Sequence, residues 1–214
     1  MLHIAHRGCI DNENTIIGIQ KAFDVFSCVE VDVRYNTKRD VILCHDREKR
    51  NEESNELFSK LCALPTPMHL FVDIKAFGIE TARKIATDIV KIVTNYPQHR
   101  YELCSFNENC VQQLIELRIC SRGYVFPYEY TVGVITSGIP VGMFGHLHDI
   151  DFISFNYDIV HEEIIDKIKH RNIKLYAWVC NDNTIKRLMD ESYHLDGIIY
   201  DYDSTLNDYN NMDL

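Results

Sequence analysis

The chain has 214 residues, 46% hydrophobic and 25% charged, with a formal net charge of −10, which fits one soluble globular domain rather than extended disorder. An acidic chain with no run of Lys and Arg argues against a nucleic-acid groove, and its apolar runs fall well short of the roughly 18 residues that stable membrane insertion needs. The opening M-L-H-I-A-H-R lacks the apolar core of a secretory leader, so a cytoplasmic location is expected.

The first elements read in order as a strand L-H-I-A-H (2–6) and a helix N-T-I-I-G-I-Q-K-A-F-D-V-F (14–26). C-V-E-V-D-V-R-Y (28–35) alternates with period two, setting Val29, Val31 and Val33 on one face and Glu30 and Asp32 on the other. After a turn comes a partner run V-I-L-C-H (41–45), then a strand H-L-F-V-D-I-K (69–75) and an amphipathic helix over 78–96. A strand at 101–106, a helix at 108–117 and a strand G-Y-V-F (123–126) follow; the Gly-interrupted stretch 127–149 is expected to be a broken helix plus loop. Strands at 151–155, 174–179 and 196–201 then alternate with helices at 161–170 and 183–192, and the polar tail N-D-Y-N-N-M-D-L is expected to fray. Eight principal strands alternating with helices predict an α/β fold, a single-domain (β/α)8 TIM barrel with parallel pairing. The eight cysteines lack a C-x-x-C pair, and Cys9, Cys28, Cys44, Cys104 and Cys180 lie in or beside strand-like runs, so they read as reduced thiols.

On such a barrel the C-terminal ends of the strands share one mouth. The first strand ends in His6-Arg7-Gly8, the second carries Glu30 and Asp32, its partner ends in His45-Asp46, and the third ends with Asp73 and Lys75. Two acids about 7 Å apart on one strand face need a cation between them or water in front of them. With Asp73 they form an oxygen-rich set suited to a hard divalent metal ion, Mg²⁺, Ca²⁺ or Mn²⁺. His6 and His45 suit opposite proton-transfer roles at neutral pH, Arg7 suits a forked contact to phosphate, and Lys75 adds a point charge. Gly8 lets the backbone turn close to a ligand. His146-Leu147-His148-Asp149 reads as a surface loop, and His161-Glu162-Glu163 as a helix first turn.

Taken together, His6-Arg7-Gly8, Glu13-Asn14-Thr15, Glu30-Val31-Asp32, His45-Asp46 and Asp73-Ile74-Lys75 resemble the linked motifs of the glycerophosphodiester phosphodiesterase family. Ser105-Phe106, the W-V-x-N run from Trp178 to Asn181 and the D-G-I-I-x-D run from Asp196 to Asp201 extend the resemblance over nearly the whole chain. It implies a metal-dependent hydrolase that cleaves small-molecule glycerophosphodiesters to glycerol 3-phosphate and an alcohol. By the same resemblance Glu30, Asp32 and Asp73 bind metal, His6 and His45 are the catalytic acid and base, Arg7 and Lys75 contact substrate phosphate, and Trp178 lines the glycerol side. Three departures stand out: Asp73 where the family commonly has Glu, a shortened insertion at about 47–67, and Tyr200 where a small residue is expected. The Asp-x-Lys variant and the trimmed insertion also resemble sphingomyelinase D type phospholipases, and a non-catalytic barrel that binds a phosphodiester headgroup is the third reading. Neither the oligomeric state nor the headgroup is legible.

Overall fold

The computed structural model of the chain describes residues 1–121, 130–138, 149–159, 165, 168, 171–180, 184 and 195–203. In chain order the elements are β1 (Leu2–Cys9), α1 (Ile16–Phe23), β2 (Cys28–Tyr35), β3 (Val41–Leu43), α2 (Phe58–Cys62), β4 (His69–Ile74) and α3 (Ile79–Thr94). They continue as β5 (Arg100–Ser105), α4 (Glu108–Ser121), β6 (Tyr130–Thr136), β7 (Phe152–Asn156), β8 (Lys174–Cys180) and β9 (Gly197–Tyr202). The nine strands run in the order β1-β9-β8-β7-β6-β5-β4-β2-β3, and a further β1–β2 pairing closes the sheet. Among the described strands only β3 joins antiparallel, so setting it aside leaves eight parallel strands in a closed barrel, the expected TIM-barrel architecture.

Strand pleating divides the core in two. Val29, Val31 and Val33 of β2 turn outward into the layer between sheet and helices. There they meet α1 and α3, whose apolar residues recur at helical spacing: Ala82, Ile85, Ala86, Ile89 and Val93 form the buried stripe of α3. Thr15 caps α1 by accepting from the Gly18 N–H at 3.1 Å. The inward-facing set fills the barrel with Ile4, Cys28, Phe71, Cys104, Ile135, Phe152, Tyr176 and Ile199. Phe71, Phe152 and Tyr176 pack with ring centroids 5.2 to 5.5 Å apart, a solid layer beneath the mouth.

One expectation is corrected. The stretch 127–149 contains a barrel strand, β6, rather than a broken helix plus loop. Y-T-V-G-V-I-T is β-branched on both sides of Gly133, and that glycine makes room for a neighbour instead of breaking the chain. A Cβ on Gly133 would stand 2.2 Å from the Phe152 ring. The expected strand 123–126, the His146–His148 part of the loop motif, His161-Glu162-Glu163 and the tail 207–214 lie outside the described residues. So do the helices at 161–170 and 183–192, except Ile165, Ile168 and Thr184.

The segment 47–67 carries the short α2, whose Phe58, Leu61 and Cys62 are buried. Cys28, Cys44, Cys62, Cys104 and Cys110 are buried free thiols and Cys120 is an exposed one, while Cys9 and Cys180 are buried. Tyr200 turns outward and packs edge-on against Phe26 at 5.4 Å, so its bulk stays out of the mouth. Among the described residues no helix is long and apolar enough to cross a membrane.

Candidate active site

At the end of β1 the chain leaves regular strand geometry. A register shift separates His6 from Cys9, and Arg7 and Gly8 both take left-handed backbone conformations, φ 56° and 81°. The kink turns the Arg7 amide inward, where it donates to Glu30 Oε2 at 2.8 Å. A Cβ on Gly8 would stand 2.9 Å from the backbone of Gly18 and Ile19, so the close approach that needs glycine is to α1. Asn14, also left-handed at φ 54°, donates its backbone N–H to the Arg7 carbonyl at 2.9 Å. Its side chain brackets Asp32, donating to Oδ2 and accepting from the Asp32 N–H, both at 2.9 Å.

Three carboxylates meet on this frame. Glu30, Asp32 and Asp73 are buried, and one oxygen from each lies within 4.8 Å of the other two. The pairing of Asp32 beside Asp73 on adjacent parallel strands sets this meeting, with Glu30 two positions deeper on β2. Lys75 Nζ bridges Asp32 Oδ1 at 2.9 Å and Asp73 Oδ2 at 2.5 Å. Arg7 Nε stands 2.9 Å from Asp32 Oδ2 as an ion pair without hydrogen-bond alignment, and its Nη1 donates to Glu13 Oε2 at 3.2 Å. Asp73 Oδ1 is buried with no hydrogen-bond partner.

The charges are unequally compensated. Burial and the neighbouring Asp32 and Asp73 charges push the Glu30 carboxyl up to about 8, against the pull of His6 and Lys75. Burial also raises Asp73, although Lys75 opposes it. Asp32 is buried too, yet Lys75, Arg7 and the Asn14 amide hold it below the ordinary carboxylate range. Lys75 is driven upward, since Asp73 and Asp32 outweigh the cost of its burial. A hard divalent cation fits this donor set: three buried carboxylates that each offer an oxygen ligand, one of them with an unpartnered oxygen, Asp73 Oδ1.

His6 Nδ1 contacts Asp201 Oδ1 at 2.6 Å, and His45 Nδ1 contacts Asp46 Oδ1 at 2.8 Å. Burial disfavours the His6 imidazolium, but the Asp201 bond and the Glu30 charge outweigh burial and the opposing Arg7, so its pKa is raised. Trp178 donates its indole N–H to the Ser154 carbonyl at 3.1 Å and meets Phe106 edge-on at 5.5 Å. His6, Arg7, Glu30, Asp32, His45, Asp73, Lys75 and Trp178 all border one open cleft of about 150 Å³, floored by Phe71, Ile135 and Ile199. Every residue expected at the site is therefore brought to it. Asn14 and Asp201 were missed as contributors, although both lie in the E-N-T and D-G-I-I-x-D stretches. The inward alternation of Ile199 and Asp201 at the end of the last strand was the available signal for the second.

No family model matches the sequence, and no curated protein does. Solved structures match across nearly the whole chain. A phosphodiesterase from Oleispira antarctica, in complex with the product sn-glycerol-3-phosphate, is similar with a TM-score of 0.73 and 18% identity over 94% of this chain and 93% of that one. A glycerophosphodiester phosphodiesterase from Parabacteroides distasonis gives 0.75 and 17% over 94% and 92%. One from Agrobacterium tumefaciens gives 0.63 and 15% over 94% and 97%. The structural neighbours are thus glycerophosphodiester phosphodiesterases at low identity, and what they share with this chain is the barrel fold.

Proposed function

We propose that this chain is a phosphodiesterase that uses a divalent metal ion to hydrolyse glycerophosphodiesters to glycerol 3-phosphate and an alcohol, working as one domain with a trimmed 47–67 segment. The observation that carries the reading is the meeting of three buried carboxylates with two imidazoles, a guanidinium and an ammonium around one cleft. The product named for the Oleispira antarctica neighbour supports the substrate class.

Glu30, Asp32 and Asp73 hold the ion, for which Mg²⁺, Ca²⁺ and Mn²⁺ are the suitable choices. When bound, it neutralises charge on the non-bridging phosphoryl oxygens. Arg7 and Lys75, anchored on Asp32 and Asp73, direct their remaining donors at the same phosphate. His6 and His45 each engage a carboxylate through Nδ1, which leaves Nε2 for the reacting atoms. One imidazole takes the proton of the attacking oxygen and the other gives a proton to the leaving alkoxide. Trp178 and Phe106 wall the side where the glycerol lies and keep bulk water from it.

The deciding experiment incubates the protein with glycerophosphocholine and Mg²⁺, Ca²⁺ or Mn²⁺, with and without chelator. Glycerol 3-phosphate and choline are expected, and chelator should abolish both. Binding without turnover under all metals would leave a headgroup-binding barrel, and cleavage of choline phospholipids instead would favour the sphingomyelinase D type reading. His6→Ala and His45→Ala should each cost on the order of 10²- to 10⁴-fold in kcat. A nitrophenyl diester, whose leaving group needs no proton, should rescue only the variant that lacks the acid. Equal rescue of both would remove the division of labour.

A further inference from the structure

A second concavity of about 200 Å³ opens on the rim between β2 and β4 and shares Lys75 with the cleft. Arg34, Arg47, Arg50, Phe77 and Thr81 line it. Arg34 is only 5% exposed, yet its Nε and Nη1 are buried without a hydrogen-bond partner. Among the described residues no carboxylate reaches ion-pair distance of Arg34, Arg47 or Arg50; Asp32 and Asp73 are taken by Lys75, and Asp46 by His45 and Lys49. The company two of these guanidiniums keep is aromatic: those of Arg34 and Arg47 lie 6.0 and 5.6 Å from the centre of the Phe77 ring. Phe77 is itself 62% exposed.

Arg34, a buried guanidinium without a paired carboxylate beside an exposed Arg47 and a half-buried Arg50, requires explanation in a chain of net charge −10, because burying an unpaired charge costs several kcal/mol. Asp32 and Asp46 act on Arg34 electrostatically, but neither pairs with it. Buried guanidinium donors that face a pocket match an oxyanion with several acceptor oxygens, since each fork presents parallel N–H groups. A carboxylate would satisfy one fork, whereas a phosphate can engage more than one.

We propose that this rim pocket binds a second phosphate-type oxyanion, carried on the alcohol portion of a phosphodiester whose scissile phosphate lies on the far side of Lys75. The inference rests on the phosphodiesterase reading for the source of the anion but not for the existence of the site. It assigns Arg34, Arg47 and Arg50 to substrate choice, favouring leaving alcohols that bear an extra phosphate over neutral or cationic ones. Phe77 holds two of the guanidiniums in place by cation–π contact.

Two arms test it. In the first, inorganic phosphate is titrated by calorimetry into metal-free wild type, Arg34→Gln and the double variant Arg47→Gln/Arg50→Gln. Wild type should bind, and each variant should weaken binding by about tenfold or more, the usual worth of a charge-assisted hydrogen bond. The double variant changes rim side chains, so it remains informative if Arg34→Gln unfolds. In the second arm, kcat/KM is compared for glycerophosphoinositol and glycerophosphoinositol 4-phosphate, which differ by one phosphate on the leaving alcohol. A wild-type preference for the phosphorylated substrate that both variants lose, with the unphosphorylated rate unchanged, supports a substrate-borne anion. Phosphate binding with no such preference would overturn that source and leave a site for free phosphate. Absence of binding, or binding of undiminished affinity and stoichiometry in both variants, would overturn the site itself, whereas loss of one bound phosphate with another retained marks the rim site apart from the cleft. A chain that turns over neither diester yet binds phosphate through these arginines would refute the phosphodiesterase reading and leave the pocket standing.

Discussion

At the scale of single residues, the site depends on a second tier that holds the acids in place. Asn14 is buried and gives Asp32 both a donor and an acceptor, so Asn14→Ala should strand two polar groups and cost about 1–3 kcal/mol in a urea unfolding curve. Metal affinity should fall with it by roughly 10- to 100-fold, as happens when the support of a ligand is removed. A wild-type unfolding midpoint in this variant would show that Asp32 is held by its cations alone. Glu30 offers a cleaner test of the cation. Saturating Mg²⁺, Ca²⁺ or Mn²⁺ at about 100 times Kd should stabilise the wild type by about 2.7 kcal/mol, read as a rise in Tm. Glu30→Gln should lose most of that rise, and an undiminished rise would place the ion elsewhere. Glu30 and Asp32 were legible because a strand that buries both faces has no ordinary use for paired acids. The His6 contact to Asp201 was not, since its partners lie 195 positions apart and no local pattern connects them.

At the scale of elements, β6 shows how a glycine can mislead. Gly133, Gly138, Gly142 and Gly145 together resemble loop punctuation, while Gly133 is a strand residue whose missing side chain admits Phe152 of β7. The remaining parallel strands were read nearly to their ends, because period-two alternation and turn residues bounded them. Gly133 was opaque for a tertiary reason: which neighbour needs the space is decided across the sheet, not along the chain. Gly133→Ala should destabilise by about 1–3 kcal/mol, the cost of overpacking a filled interior. Phe152 cannot retreat, being wedged against Phe71 and Tyr176. Trimming the ring in Gly133→Ala/Phe152→Leu should recover part of the loss, and strict additivity of the two changes would refute the clash.

At the scale of the whole molecule, the barrel axis separates a charged mouth from a second polar centre beyond the aromatic layer. Glu102 Oε1 lies 3.2 Å from His69 Nε2, 3.4 Å from Arg100 Nη2 and 3.2 Å from the Tyr176 hydroxyl. Burial pushes the Glu102 carboxyl up, but His69, Tyr176 and Lys174 together hold it below the ordinary range. Its folded pKa therefore lies under its unfolded one, and between the two the unfolded chain binds more protons, so stability rises with pH there. The contribution is complete above the unfolded value of about 4.3 and disappears as pH falls through the folded value. Glu102→Gln should flatten the acid limb of the stability curve while lowering stability at neutral pH; an unchanged acid limb would mean that other carboxylates govern it. The seam of the barrel carries a different consequence. His6 lies on β1 and Asp201 on β9, the two strands whose pairing shuts the ring. A ribosome releases Glu30, Asp32 and Asp73 long before β9, and until that strand arrives the free edge of β1 is a template on which another nascent chain can zip. The event that gives His6 its carboxylate is thus also the event that removes this sticky edge, so a molecule caught halfway is at once incomplete at its mouth and most prone to aggregate.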